Sequence, residues 1–112
     1  MHNPLRIQLQ ENNVRVIELV RPILEAVAEQ DRSLANQLRR ALSSVALNVA
    51  EACGCNAGNR RLRFETARGS LYETAAALRI ASAWGHVGPE STQAALEALE
   101  RLSARLYRVT NR

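Results

Sequence analysis

The sequence predicts an all-α protein, an antiparallel up-down four-helix bundle that forms a single domain over residues 1–112. Apolar residues recur at helical spacing in four segments, short polar or glycine-containing breaks separate the segments, and no stretch alternates apolar and polar residues as a strand does. Hydrophobic residues make up 46% of the chain but aromatic residues only 4%, so the core is expected to consist of closely packed aliphatic helices.

The first helix is predicted from about Ile7 to Glu29. Its core stripe has helical spacing and comprises Val16, Val20, Ile23 and Val27. A second, adjacent apolar stripe comprises Val14, Ile17, Leu24 and Ala28. Pro22 removes one backbone hydrogen bond and predicts a kink, since the apolar pattern runs through both of its sides. The alternative is a helix that begins at Pro22.

The second helix is predicted from about Leu34 to Ala52, after a polar break in which Asp31 or Ser33 can cap it. Its apolar residues are spaced by four and three, as in a bundle seam, and comprise Leu38, Leu42, Val45 and Val49. Gly54 is a plausible C-cap.

The third helix is predicted from about Arg60 to Trp84 and the fourth from Pro89 to about Val109. The third seam comprises Phe64, Ala67, Leu71, Thr74, Leu78 and Ala81, and the fourth comprises Leu99, Leu102, Leu106 and Val109. Residues 85–89 end the third helix, and Pro89 suits the first turn of the fourth. Short connections between long amphipathic helices predict antiparallel neighbours.

The basic side chains are of one kind: all 15 are arginine, and the formal net charge is +4. Guanidinium groups bind phosphate oxygens in pairs, so this usage is typical of phosphate recognition. A GC-rich genome, which favours arginine and alanine codons, explains it equally well.

Cysteine usage and the chain's N-terminal sequence predict a cytoplasmic protein with reduced thiols. Cys53 and Cys55 are too close for an unstrained disulfide. With His86 they are too few and poorly spaced for zinc, so neither a metal nor a cofactor is expected. The first ten residues lack the apolar core of a signal peptide, and no apolar run is long enough to span a membrane.

Two segments carry a resemblance to a known family. Residues 37–51 (QLRRALSSVALNVAE) and residues 64–73 (FETARGSLYE) resemble the second- and third-helix signatures of the four-helix-bundle proteins encoded in 23S rRNA intervening sequences. The chain departs from the pattern at Ala46, where the family usually has proline, at Leu47, where it has a small polar residue, and at Ala52, where it has glycine.

The resemblance implies a bundle that assembles as a ring-shaped homopentamer. Related accessory proteins of diversity-generating retroelements bind nucleic acid and a reverse transcriptase through a basic surface. For most bacterial members encoded in rRNA intervening sequences, the resemblance implies no known molecular role.

Two arginine stripes are candidate nucleic-acid contacts. The stripe of helix four comprises Arg101, Arg105, Arg108 and Arg112, and that of helix three comprises Arg61, Arg68 and Arg79 with Tyr72 between them. Arginines with an interleaved aromatic can follow a phosphate backbone and stack a base. The alternative is a solvated face balanced by Glu65, Glu97 and Glu100.

Apolar residues outside the seams predict contacts between subunits. Leu47 points away from the seam of helix two, and a whole second stripe on helix one is hard to leave in water. The predicted oligomer interface therefore comprises Val14, Ile17, Leu24 and Leu47.

No catalytic residue is predicted. Four polar residues in apolar surroundings, Asn48, Glu51, Ser70 and Glu73, are interpreted as bridges that fix helix register. An enzyme built on Glu51 and Glu73 is a remote alternative, because no nucleophile or histidine accompanies them. We expect a non-enzymatic oligomeric adaptor that binds RNA or DNA, with a protein scaffold lacking nucleic-acid affinity as the alternative.

Overall fold

The predicted all-α bundle is confirmed. The computed structural model describes residues 4–54 and 56–111, and within them four helices and no strand are present. The helices are α1 (Pro4–Gln30), α2 (Arg32–Gly54), α3 (Ala57–Ala83) and α4 (Pro89–Thr110). Each end lies within three residues of its predicted position. Cys55 and Arg112 lie outside the described residues.

The predicted seams form the core. Every predicted seam residue is buried except Val109, which is half-buried at the end of α4. The second stripe of α1 is different: Leu24 packs against the core, whereas Val14 and Ile17 are exposed. The aliphatic seam residues thus supply the hydrophobic contacts that hold the four helices together.

Pro22 lies inside a continuous α1, so the alternative of a helix beginning at Pro22 is wrong. Pro22 and Glu18 are both exposed. Water can therefore replace the backbone hydrogen bond that proline cannot make to residue 18.

The helix ends follow ordinary capping chemistry. Of the two candidate caps of α2, Asp31 is the one used, because the Leu34 amide donates to its Oδ1 at 3.0 Å. Asn56 caps α3 by accepting from the Asn59 amide at 3.1 Å. Gly54 is the last residue of α2 rather than a left-handed cap, and Gly85 is the glycine with positive φ, +78°, among the described residues.

Contacts between helices fix an antiparallel arrangement in which each helix packs against both of its neighbours. Arg6 Nη1 donates to the Cys53 carbonyl at 2.8 Å, joining the start of α1 to the end of α2. The Ser44 and Ser70 hydroxyls meet at 2.9 Å between α2 and α3. The resulting molecule measures 43 × 22 × 19 Å. In the part of the chain that the structure describes, no helix has the length and apolar character needed to cross a bilayer.

Candidate nucleic-acid interface

A long surface depression between α1 and α4, here called the α1/α4 groove, gathers several arginines. Its apolar floor includes the buried Val16 and Leu102, while Arg15 rises from the α1 side and Arg101 from the α4 side. Arg105 lines both this recess and an adjoining one, and the name α1/α4 groove covers the two recesses together. The adjoining recess is lined by Leu5, Gln8, Arg105, Arg108 and Val109.

The arginines of the groove make no ion pair with any described residue. They are Arg15, Arg101, Arg105 and Arg108. Some arginines elsewhere are paired: Arg21 lies 3.2 Å from Glu25, and Arg63 lies 3.0 Å from Glu51. Because the groove guanidinium groups are not engaged by carboxylates of residues 4–54 and 56–111, their N–H donors can meet phosphate oxygens.

Charge is distributed unequally along the bundle. One half of the bundle contains the N-terminus of α1 and the C-terminus of α4, and we call it the basic half. It comprises residues 4–17, 44–54, 56–70 and 100–111. It holds nine arginines against four carboxylates, whereas residues 18–43 and 71–99 hold five arginines against seven carboxylates. The groove arginines therefore lie where neighbouring charges reinforce attraction for an anion.

Two tyrosines lie where α3 packs against α4, on the side of α4 away from the groove. Tyr72 belongs to α3 and Tyr107 to α4. Tyr72 is 57% exposed and Tyr107 is 55% exposed. Arg68 lies between them: its guanidinium carbon is 5.1 Å from the centre of the Tyr107 ring, and its Nη2 donates to the Tyr72 hydroxyl at 3.3 Å. We call Arg68, Tyr72 and Tyr107 the tyrosine cluster.

The surroundings of Tyr72 favour its ionised form. The hydrogen bond from Arg68, a second hydrogen bond from Ser103 and the positive charge of Arg68 lower the pKa of Tyr72 below its ordinary value of 10.0. Burial has a small opposing effect, because the phenol is exposed. The Tyr72 hydroxyl therefore lies beside a positive charge, and the cluster carries two accessible rings.

The structure divides the predicted nucleic-acid residues between these two sites. Arg101, Arg105 and Arg108 line the α1/α4 groove, whereas Arg68 and Tyr72 belong to the tyrosine cluster. The remaining predicted arginines are placed differently. Arg61 lies 3.2 Å from Glu65, and Arg79 lies on α3 outside the basic half.

Sequence patterns did not indicate two residues of these sites. Arg15 reaches the groove because α1 packs beside α4, a pairing that periodicity within one helix does not contain. Tyr107 stands between Arg105 and Arg108, so an aromatic flanked by arginines was the available signal.

Comparison with known proteins places the chain in a family. A family model described as 23S rRNA-intervening sequence protein matches residues 10–108. The chain belongs to this family. No match was found among curated proteins.

A solved structure shares the fold of this 23S rRNA-intervening sequence family member. It is the crystal structure of a protein with unknown function from the S23 ribosomal protein family of Bacteroides thetaiotaomicron VPI-5482. The likeness has a TM-score of 0.87 at 12% identity and covers 96% of this chain and 99% of that one. At this identity the comparison shows a common fold.

In this family member, the polar residues of the second- and third-helix signatures form one network between α2 and α3. Asn48 Nδ2 donates to the Ser44 carbonyl at 2.9 Å and lies 3.1 Å from the Ser44 hydroxyl, which meets Ser70. Arg63 Nη1 donates to Asn48 Oδ1 at 3.4 Å, and its Nε pairs with Glu51. These contacts join α2 to α3 at one register, as the bridging interpretation predicts for Asn48, Glu51 and Ser70, whereas the exposed Glu73 takes no part in the network.

Glu51 and Glu73 do not share a site. Glu51 pairs with Arg63, ten residues before Glu73 on α3. At 1.5 Å per residue, this separation places Glu73 about 15 Å farther along the bundle. The two carboxylates are therefore too far apart to work on one substrate atom.

The candidate metal ligands are also separated. Cys53 lies near the end of α2, whereas His86 lies 3.8 Å from Asp31, just before the start of the same helix. About 30 Å of helix separates the two residues. His86 instead stacks on Trp84, with ring centres 6.5 Å apart.

The predicted oligomer-interface residues do not line one recess. Val14 is 55% exposed on α1, whereas Leu47 is 64% exposed and borders a shallow recess between α2 and α3. Leu24 is half-buried against the core. Apolar surface open to solvent is thus present on both α1 and α2.

Proposed function

We propose that this 23S rRNA-intervening sequence family member is a non-enzymatic, nucleic-acid-associated adaptor that holds phosphate backbones in the α1/α4 groove. One observation carries the proposal: Arg15, Arg101, Arg105 and Arg108 line two adjoining recesses between α1 and α4, and none is paired with a carboxylate among the described residues. Arg21 and Arg61, by contrast, are each balanced by a carboxylate one turn away.

The shape of the groove also supports the proposal. Its arginines come from two antiparallel helices and border an apolar floor, so the arginine stems can pack against carbon while the N–H groups reach outward. A charged chain lying along the groove can contact successive arginines. Binding through phosphates positions nucleic acid without reading its sequence.

The adaptor role includes self-association through the exposed apolar residues of α1 and α2, among them Val14, Ile17 and Leu47. A homopentameric ring would present five grooves to one nucleic acid and strengthen binding through effective concentration. Light scattering of the purified protein tests this step. A monomer at the concentrations used for binding would leave the groove to act alone.

The binding test is fluorescence anisotropy of labelled RNA and DNA over a series of salt concentrations. Each neutralised phosphate contributes roughly 0.7 to 0.9 to the log–log slope, so four arginines predict a slope of about three per groove. The double variant Arg101→Glu/Arg105→Glu should flatten this slope by about two or more.

The matched control is Arg32→Glu/Arg79→Glu. These two arginines are exposed, have no ion pair among residues 4–54 and 56–111, and lie outside the basic half. The control makes the same change in net charge, so it lowers non-specific attraction equally but should keep the slope nearly intact. Equal losses in both variants would assign binding to net charge and refute the groove.

A protein scaffold is the second candidate function, favoured by the large exposed fraction of Leu47. The recess around Leu47 is otherwise lined by polar and charged residues, and an exposed apolar side chain rimmed by polar groups fits a protein contact site. If neither RNA nor DNA binds at low salt, the adaptor proposal fails and a protein-binding role is favoured.

A further inference from the structure

We propose that the interface selects single-stranded nucleic acid, with unpaired bases stacking on Tyr107 and Tyr72. This inference rests on the proposed function, because the groove arginines supply the phosphate contacts. It adds the class of ligand and two residues that would recognise it.

The first argument is the accessibility of the rings. Both tyrosines are more than half exposed although they lie on packed helices, and neither belongs to the hydrophobic core. They also lie close together on one helix pair, because Arg68 contacts both. Two rings at one level of the bundle can contact successive bases.

The second argument is the fixed position of Arg68. Its guanidinium is held by the Tyr107 ring and by the Tyr72 hydroxyl, and it has no carboxylate partner among the described residues. This positive charge attracts phosphate, and although the guanidinium lies over one face of the Tyr107 ring, more than half of that residue stays exposed for stacking. Ordering the side chains before binding also reduces the entropy lost on binding.

The third argument is the distance to the groove along α4. Tyr107 directly precedes Arg108 and follows Arg105 by two residues. The Tyr107 ring and these two groove guanidinium groups therefore project from the same turn of α4. One strand can therefore place its phosphates on the groove arginines and turn its bases over α4 toward α3.

A duplex cannot use the rings in this way. Its bases are stacked on one another inside the helix, whereas a single strand can splay its bases onto aromatic side chains. The groove alone would bind both forms through phosphate. The tyrosine cluster therefore adds affinity for the single strand only.

The experiment measures anisotropy with a single strand, a duplex of equal length and an abasic strand that keeps the phosphates but lacks bases. Wild-type protein should bind the single strand about a hundredfold more tightly than the abasic strand, roughly tenfold for each of two stacked bases. Tyr107→Leu should lower single-strand affinity about tenfold, the double variant Tyr72→Leu/Tyr107→Leu should lower it to the abasic level, and neither should change duplex affinity.

Tyr107→Phe is the matched variant, because it keeps the ring and should keep the preference for bases. Both substitutions are at an exposed position, and a circular dichroism spectrum equal to wild type confirms the fold. Equal affinity of wild type for normal and abasic strands, or an equal loss in the Leu and Phe variants, would overturn the inference while leaving the groove proposal intact. No binding to any of the three ligands would overturn both.

Discussion

The hydroxyl oxygens of Ser44 and Ser70 lie 2.9 Å apart across the interface of α2 and α3, and Asn48 Nδ2 lies 3.1 Å from the same Ser44 oxygen. This small hydrogen-bonded group joins the two signature segments through which the chain resembles its family. Its position between half-buried helix faces means that removing one partner leaves the others incompletely satisfied.

We expect Ser44→Ala and Ser70→Ala each to lower the free energy of unfolding by about 1 kcal/mol. The double variant should lose less than the sum, because the two side chains share one hydrogen bond. Urea denaturation followed by circular dichroism measures all three values. Strict additivity would mean that the hydroxyls do not interact in solution.

The sequence predicted the parts of the fold that depend on periodicity within one helix. The stripe of Val16, Val20, Ile23 and Val27 is buried as predicted, because a 3.6-residue period directly reports the side of a helix that faces the core. Helix ends were less accurate, since Arg32 and Gly54 extend α2 without an apolar period to mark them.

The candidate sites depend on the register between helices, which the sequence does not contain. Arg15 joins the groove and Arg68 meets Tyr107 only because α4 packs between α1 and α3. Asn13 is buried at a seam position, but the apolar periodicity does not indicate it because its side chain is polar. These residues can be identified only when the packing of the four helices is known.

Asn13 predicts a stabilising substitution. Its Nδ2 donates to the Leu9 carbonyl at 2.9 Å, but its buried Oδ1 has no hydrogen-bond partner among the described residues. Asn13→Leu keeps a similar branched shape and should raise the free energy of unfolding by about 1 kcal/mol. Asn13→Ala removes the same oxygen but leaves a cavity, so it should gain less or lose stability. A less stable Leu variant in urea denaturation would contradict the prediction.

Tyr72 should ionise at lower pH than an ordinary tyrosine. The hydrogen bond and charge of Arg68 lower the pKa of Tyr72, so Arg68→Leu should raise it back toward 10.0. Absorbance of tyrosinate against pH measures the change, and Tyr72→Phe assigns the signal because the chain has two tyrosines.

The same ionisation sets the sign of two pH effects. Because the folded-state pKa is below the unfolded value, the contribution of Tyr72 to stability is fully present above the unfolded pKa and is lost as pH falls through the folded pKa. Nucleic-acid binding should change in the opposite direction. A phenolate beside Arg68 cancels its positive charge, so affinity should weaken as pH rises through this pKa, and Tyr72→Phe should remove that step.

Arg15 provides a test between two phosphate paths, the α1/α4 groove and the arginine stripes predicted from the sequence. It was absent from the predicted contacts, but it lines the same recess as Arg101 and Arg105, whereas Arg79 was predicted and lies in the other half of the bundle. If phosphates follow the groove, Arg15→Glu should flatten the salt slope by about one, as loss of one phosphate contact does. Arg79→Glu, with the same charge change, should leave the slope near the wild-type value. The reverse order, measured by anisotropy with the same labelled strand, would move the phosphate path from the α1/α4 groove to the surface of α3.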